Sequence, residues 1–256
     1  MRILIKFGSA TITLNKRLNH EFLKDKIKEI AQLQKQGNEI VIVSSGAVAA
    51  GIETLNLKDR PKETLELQAL SGIGQISLIN TFKELFKEQN INVAQVLLTH
   101  HNLSTAEEKK NLKDVVGIYL KNKTIPIINE NDVVSKEELM GNSIAKFTDN
   151  DLLAALVSIE LKADTMILIT DVEGLCDVDP KENKCAHVIT SVTKITPDIE
   201  KMATKETNKL GRGGMASKVK AANLVMEKGI SCIVGSGKYS INDLLEGKVQ
   251  RTIFRK

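Results

Sequence analysis

The sequence predicts an α/β protein built on a largely parallel sheet, and three observations predict it. Short β-branched runs alternate with longer stretches of helical period along the chain. The first fifty or so residues read β-α-β, a crossover unit that is right-handed and feeds parallel sheets. No Pro/Ser-rich linker, internal repeat or low-complexity tract breaks the alternation. With 256 residues, 42% of them hydrophobic, the chain can bury the core of one large domain. We expect a single domain over residues 1–256, softly divided near Leu161 into an N-terminal half of about 1–161 and a C-terminal half of about 162–256.

Arg2 to Phe7 is a mostly apolar run ending at Gly8, as expected of a strand buried on both faces. Phe22, Leu23, Ile27, Ile30, Ala31 and Leu33 then recur at helical spacing and stop at Gly37. Glu39 to Val43 reads as a second strand, followed by Ser44-Ser45-Gly46 and a helix-like stretch from Ala47 to Gly51. Lys62 to Gln89 is helical in period, but Gly72 and Gly74 predict a break and hence a bent pair of core helices. That span carries more apolar residues than one core-facing stripe needs, so some of them are available to a partner subunit. Further strands are expected at Val93 to Leu98, Thr124 to Asn129, Thr165 to Thr170 and Ser231 to Val234. Helices are expected at Ala106 to Asn122, at Asp151 to Leu161 and after Lys218.

The net charge of +4 comes from lysines and arginines spread along the chain, with no dense basic block. Aromatic residues make up 3%, with no Trp, which leaves little material for stacking on bases. This balance suits small anionic ligands and argues against a nucleic-acid partner. Cys176, Cys185 and Cys232 form no C-x-x-C pair, so neither a disulfide framework nor a zinc knuckle is indicated. The apolar run at the N-terminus is too short for a signal peptide, and no apolar stretch is long enough to span a bilayer. We expect a cytoplasmic protein that does not engage a membrane.

In open α/β sheets ligands sit beyond the carboxyl ends of the strands. The residues expected there are Lys6-Phe7-Gly8-Ser9, Ser44-Ser45-Gly46-Ala47, Asn129-Glu130-Asn131-Asp132 and Thr170-Asp171. Lys6 stands out, because a lysine inside an apolar strand is costly to bury without a partner. Its stem could lie along the sheet with the head reaching water. The alternative is a phosphate-binding cation, which Gly8 favours by letting a phosphate approach the backbone. Thr148-Asp149-Asn150-Asp151 opens a helix, and one Asp or Asn there is explained by capping. The remainder, with Asn129, Asn131 and Asp132, suits an amino-acid ammonium group or the orientation of nearby lysines.

Leu210-Gly211-Arg212-Gly213-Gly214-Met215-Ala216-Ser217-Lys218 reads as a glycine-rich turn feeding a helix, with a lysine in its first turn. Such a stretch is either an ordinary surface turn or a phosphate cradle. It lacks the spacing of G-x-x-x-x-G-K-[ST], and no G-x-G-x-x-G follows the first strand, which disfavours a dinucleotide oxidoreductase.

Together these stretches resemble the amino acid kinase family. The resemblance spans nearly the whole length, on Ile5-Lys6-Phe7-Gly8-Ser9, Ile42 to Gly51, Ile127 to Asp132, Asp149-Asn150-Asp151, Leu168 to Leu175 and Gly211 to Lys218. The Ser45-Gly46-Ala47 block, the Asn129 to Asp132 block and the Gly213-Gly214-Met215 block are most similar to the branch that phosphorylates glutamate. The resemblance implies a three-layer αβα sandwich, with ATP over the C-terminal half and the amino acid over the N-terminal half. It implies that Lys6 and Lys218 neutralise the transferring phosphoryl group while Asp151 holds both lysines. Ser45, Gly46, Asp132 and Asn150 would bind L-glutamate. Lys6, Gly8, Thr170, Asp171, Arg212, Gly213, Gly214, Met215, Ala216, Ser217 and Lys218 would bind ATP.

The resemblance further implies Mg2+ carried on the ATP phosphates, no metal held by protein side chains, feedback by proline, and a homodimer or homotetramer. It implies a short form that ends at Lys256 without the small RNA-binding-type PUA domain many such enzymes carry. Arg212 stands where the family usually has threonine, Thr148 where glycine is common, and Val133 to Phe147 is longer than in many relatives. Two alternatives remain at this point: a sister kinase acting on acetylglutamate or aspartate, and a non-catalytic sensor of nucleotide and amino acid.

Overall fold

The computed structural model describes residues 1–99, 101–135, 150–178, 183, 186–205 and 214–256. One sheet is built from β1 (Arg2–Phe7), β4 (Glu39–Ser44), β5 (Val93–Leu98), β6 (Ile125–Glu130), β7 (Thr165–Thr170), β8 (Ser191–Val192), β9 (Ser231–Ser236) and β10 (Thr252–Phe254). Their order is β5-β6-β4-β1-β7-β9-β10-β8. From β5 to β9 every neighbour is parallel, and β1 lies in the middle, between β4 and β7. Two short strands, β2 (Thr13–Leu14) and β3 (Arg17–Leu18), form a separate hairpin. Its turn places Asn15 and Lys16 at positive φ, as a tight hairpin turn requires.

The parallel strands are apolar on both faces because helices cover both. Alternate residues of β1 separate into two cores: Leu4 joins Val41, Val43 and Leu168, while Ile3, Ile5 and Phe7 join Ile40, Ile42 and Ile169. The first core is closed by α5 (Ala106–Lys121), by α6 (Asn150–Glu160) and by a helix at Met215–Glu227. The second is closed by α2 (His20–Lys35), α4 (Thr64–Lys87) and a helix at Ile241–Glu246. The expected αβα arrangement is thus present, and strand alternation puts Lys6 on the same face as Leu4.

Four short helices complete the chain order: α1 (Ser9–Ile12), α3 (Ala47–Thr54), α7 (Pro197–Lys205) and the Ile241–Glu246 helix, α9, which follows α8 (Met215–Glu227). One departure from the parallel plan is β10, which runs antiparallel to β9. The chain turns back after α9 through Gly247, whose φ of 72° is the left-handed geometry that glycine adopts readily.

The expected break at Gly72 and Gly74 does not occur, since α4 runs unbroken from Thr64 to Lys87. Gly74 instead serves close packing, because a Cβ there would stand 1.9 Å from the Ala47 carbonyl oxygen on α3. Gly51 does the same in reverse, with a Cβ falling 2.2 Å from the Leu70 carbonyl oxygen. Two glycines therefore let α3 and α4 touch backbone to backbone. Among the described residues no helix is long and apolar enough to cross a membrane.

Candidate active site

Three chain-distant elements meet on the face that carries Lys6. β1 supplies Lys6, the first turn of α6 supplies Asp151, and the first turn of α8 supplies Lys218. Lys6 Nζ lies 2.5 Å from Asp151 Oδ1 and Lys218 Nζ lies 3.0 Å from Asp151 Oδ2. All three side chains are buried. A cation in the first turn of a helix opposes the helix dipole, whereas the carboxylate in the first turn of α6 is favoured by it. The pairing therefore resolves the position of Lys218 as well as that of Lys6.

Burial pushes the Asp151 carboxyl up, but the charges of Lys6 and Lys218 and their hydrogen bonds outweigh it and hold its pKa below the usual value. The same buried charge reaches Cys232 in the neighbouring core, whose thiol is raised well above its ordinary pKa by burial first and Asp151 second. Cys232 and Cys176 are buried, and Cys185 lies outside the described residues. The reading of Lys6 as a snorkelling surface lysine is excluded, since its head is tied down inside.

Gly8 follows the lysine strand with extended backbone, φ −78° and ψ 153°. A Cβ on Gly8 would sit 3.4 Å from Lys6 Nζ and 3.7 Å from the Ile169 carbonyl oxygen. Only a glycine leaves the backbone beside the ammonium bare, and the next strand end, Thr170-Asp171, lies alongside. Thr170 is buried and its hydroxyl donates to Asp171 Oδ1 at 3.1 Å. Gly214 is the N-cap of α8, and its carbonyl accepts Ser217 N at 3.1 Å and Lys218 N at 3.4 Å. Met215 is buried, Ala216 is exposed and Ser217 is intermediate. Arg212 and Gly213 lie outside the described residues, as does Thr148.

A second group of polar side chains lies at the ends of β4 and β6. Asn150 Nδ2 donates to Ser45 Oγ at 2.8 Å and to Asn129 Oδ1 at 3.3 Å. Ser45 precedes Gly46, whose φ of 106° is left-handed and which caps α3. Asp132 is buried and accepts the Ser71 hydroxyl on Oδ2 at 2.6 Å. Because Asn150 and Asp151 are adjacent at the start of α6, the amide group and the lysine trio are joined by one helix end. Of Val133 to Phe147, residues 133–135 are described; there Ser135 donates to Glu130 Oε1 at 2.8 Å.

Sequence reasoning overlooked the contribution of α4. Gln68, Ser71 and Gln75 are buried and bond to Asp132, Val133, Ser135 and Asn129. The signal was present as three polar residues at i, i+3 and i+7 within an apolar helix, one face by helical geometry. It was obscured by reading that span only for its apolar residues.

The profile of the amino acid kinase family matches residues 1–236. The chain belongs to the amino acid kinase family. Amino acid kinase relatives named glutamate 5-kinase are similar over 99% of this chain. That of Desulfotalea psychrophila is 41% identical, the chain spanning 66% of its length. That of Clostridium acetobutylicum is 38% identical, with 94% of its length covered. Among solved structures, carbamate kinase from Giardia lamblia bound to AMP-PNP aligns with a TM-score of 0.67 at 17% identity, covering 99% of this chain and 98% of that one. UMP kinase from Ureaplasma parvum aligns at 0.63 and 18% identity, covering 100% of this chain and 98% of that one. These two likenesses show the amino acid kinase fold.

Proposed function

We propose that this chain transfers the γ-phosphoryl group of ATP to the side-chain carboxylate of L-glutamate, giving L-glutamyl 5-phosphate and ADP at the entry to proline formation. The observation that carries the reading is the Lys6–Asp151–Lys218 trio standing one residue from the Ser45–Asn150 hydrogen bond. A carboxylate oxygen is already a nucleophile at neutral pH, so the reaction needs orientation and charge stabilisation and no general base. Two ammonium groups against one carboxylate give the trio a net positive charge suited to an anionic phosphoryl group in transfer.

In this reading Ser45, Gly46, Asp132 and Asn150 hold glutamate, with Asp132 matched to its α-ammonium group. Gly8, Thr170, Asp171 and the 212–218 stretch hold ATP beside Lys6 and Lys218. The trio's net charge falls short of a nucleoside triphosphate's, so the donor set fits Mg2+ arriving on the phosphates, where it would neutralise the rest. Hydroxylamine traps acyl phosphates as hydroxamates. Hydroxamate formation from glutamate, ATP and magnesium supports the reading, and its absence above background rejects it. Faster turnover of N-acetylglutamate or aspartate would move the protein to a sister activity.

The reading places the protein in the cytoplasm as a homodimer or homotetramer. Leu65, Ile73 and Ile76 on the outward side of α4, with Val133 and Val134 nearby, are exposed apolar residues available to a second copy. Light scattering that returned a monomer mass would sink that part.

A further inference from the structure

We propose that two side chains of α4, Ser71 and Gln75, are positioning residues of the amino-acid pocket, and that Ser71 sets its preference for a substrate bearing an α-ammonium group. The proposal rests on the glutamate reading above. α4 lies against the sheet edge with Gln68, Ser71 and Gln75 bonded to the end of β6 and the segment that follows it. They are 7%, 3% and 9% exposed, and polar groups this deep cost free energy unless their hydrogen bonds are made. Every bond these three side chains are seen to make ends on the residues from Asn129 to Ser135.

The Ser71 hydroxyl donates to Asp132 Oδ2 at 2.6 Å, a short, charge-assisted bond. Gln68 Nε2 holds the same residue by its backbone, donating to the Asp132 carbonyl at 2.9 Å and to the Val133 carbonyl at 3.2 Å. The carboxylate is therefore fixed from both ends of its residue, and its orientation toward an incoming ammonium group is decided before substrate arrives. Such preorganisation removes an ordering cost from binding.

Gln75 acts on the other half of the pocket. Its Oε1 accepts Asn129 Nδ2 at 2.9 Å, while the Glu130 backbone N–H donates to Asn129 Oδ1 at 2.9 Å. A backbone N–H can only donate, so the direction of the Asn129 amide is settled. Asn129 Oδ1 must then accept from Asn150, which gives its Nδ2 to both Asn129 and Ser45. Ser45 Oγ is used as an acceptor, which leaves the Ser45 hydrogen to be donated to a substrate carboxylate oxygen. Gln75 thus braces a chain, directed by the Glu130 N–H, that ends in a hydroxyl hydrogen for the substrate.

The test compares glutamate with glutarate, which keeps both carboxylates but lacks the ammonium group. The full chain is assayed unaltered and as Ser71→Ala, Ser71→Thr and Gln75→Met, recording kcat, KM for glutamate and for ATP, and the inhibition constant of glutarate against glutamate. Ser71→Ala should raise KM for glutamate about tenfold, the scale of one lost charge-assisted hydrogen bond, and leave glutarate and ATP within about twofold. Ser71→Thr, which keeps the hydroxyl, should restore the unaltered behaviour. Gln75→Met should weaken glutamate and glutarate together and leave ATP unchanged.

Equal weakening of glutamate and glutarate by Ser71→Ala would reduce Ser71 to a structural role and overturn the proposal. Unchanged binding of both ligands by Gln75→Met would do the same for Gln75. If Ser71→Ala fails to fold, Gln75→Met still decides the role of Gln75, and a Ser71→Thr variant that weakens glutamate and glutarate equally overturns that of Ser71. An unaltered protein that makes no hydroxamate sinks the glutamate reading itself, an outcome distinct from a Ser71→Ala variant that uses glutamate normally.

Discussion

Lys6 Nζ and Asp151 Oδ1 stand 2.5 Å apart with both side chains withdrawn from solvent, and Asp151 holds Lys218 on its other oxygen. Removing the carboxylate leaves two ammonium groups buried without their counter-charge. Asp151→Asn should lower folding stability by about 3–5 kcal/mol, the usual result of breaking a buried pair from one side. Chemical denaturation measures it. A midpoint near that of the unaltered protein would mean the lysines can reach water.

The same trio fixes an acid dependence. The Asp151 carboxyl is held below its ordinary pKa of 3.8 in the folded chain, so the folded state binds that proton less readily than the unfolded one. A depressed carboxylate adds stability that is complete above the unfolded value and is lost as pH falls through the folded one. Stability of the unaltered protein should therefore decline more steeply below about pH 4 than that of Asp151→Asn. Parallel denaturation curves from pH 6 to 3 for both proteins would contradict this.

Lys218→Ala removes a cation assigned to the nucleotide side. Turnover should drop by roughly 10²–10⁴-fold, on the scale of losing one preorganised donor to developing charge. KM for glutamate should barely move. A variant with normal turnover and lost glutamate binding would reverse the assignment of the two halves.

Gly74→Ala tests the contact between α3 and α4. The added Cβ would stand 1.9 Å from the Ala47 carbonyl oxygen, a backbone atom that cannot swing away. The helices must separate, at about 1–3 kcal/mol or more of overpacking strain. Because Gly46 caps α3 and α4 carries Ser71 and Gln75, glutamate affinity should fall with stability. Thermal unfolding and glutamate saturation curves check both.

Proline shares glutamate's α-carboxylate and cationic α-nitrogen, so a pocket of Ser45, Asp132 and Asn150 should accept it in competition. Excess glutamate should then relieve inhibition by proline. Inhibition that glutamate cannot relieve would place proline elsewhere.

Much of the scaffold was legible because the apolar runs are short and bounded, and those of β1 and β7 are buried on both faces. Arg2 to Phe7, Val93 to Leu98 and Thr165 to Thr170 match their strands end to end. Lys6 was legible because a lysine in an apolar strand needs a partner, Lys218 because it follows a glycine-rich stretch, and Asp151 only through the family resemblance. The α4 glycines misled because glycine marks both breaks and close contacts, and only the partner helix tells them apart. Ser71 and Gln75 were hidden for a related reason: a buried polar residue declares itself only once its acceptor, far away in sequence, is known. β10 was missed because three residues carry too little pattern to distinguish a strand from a loop.

The central position of β1 carries a hazard during folding. Its pairing with β4 joins Arg2 to Glu39, whereas its pairing with β7 joins Ile3 to Thr165, so the two sides of one strand are completed far apart in sequence. A chain folded only through β6 would hold β5-β6-β4-β1 with β1 as a bare edge, displaying Ile3, Leu4, Ile5 and Phe7 with unpaired backbone groups. The charges on that strand that resist pairing with another chain are Arg2 at its start and Lys6 near its end, and Lys6 acts there as a gatekeeper before it meets Asp151. The lysine proposed to meet phosphate in the finished protein would thus also help keep its half-built form from aggregating.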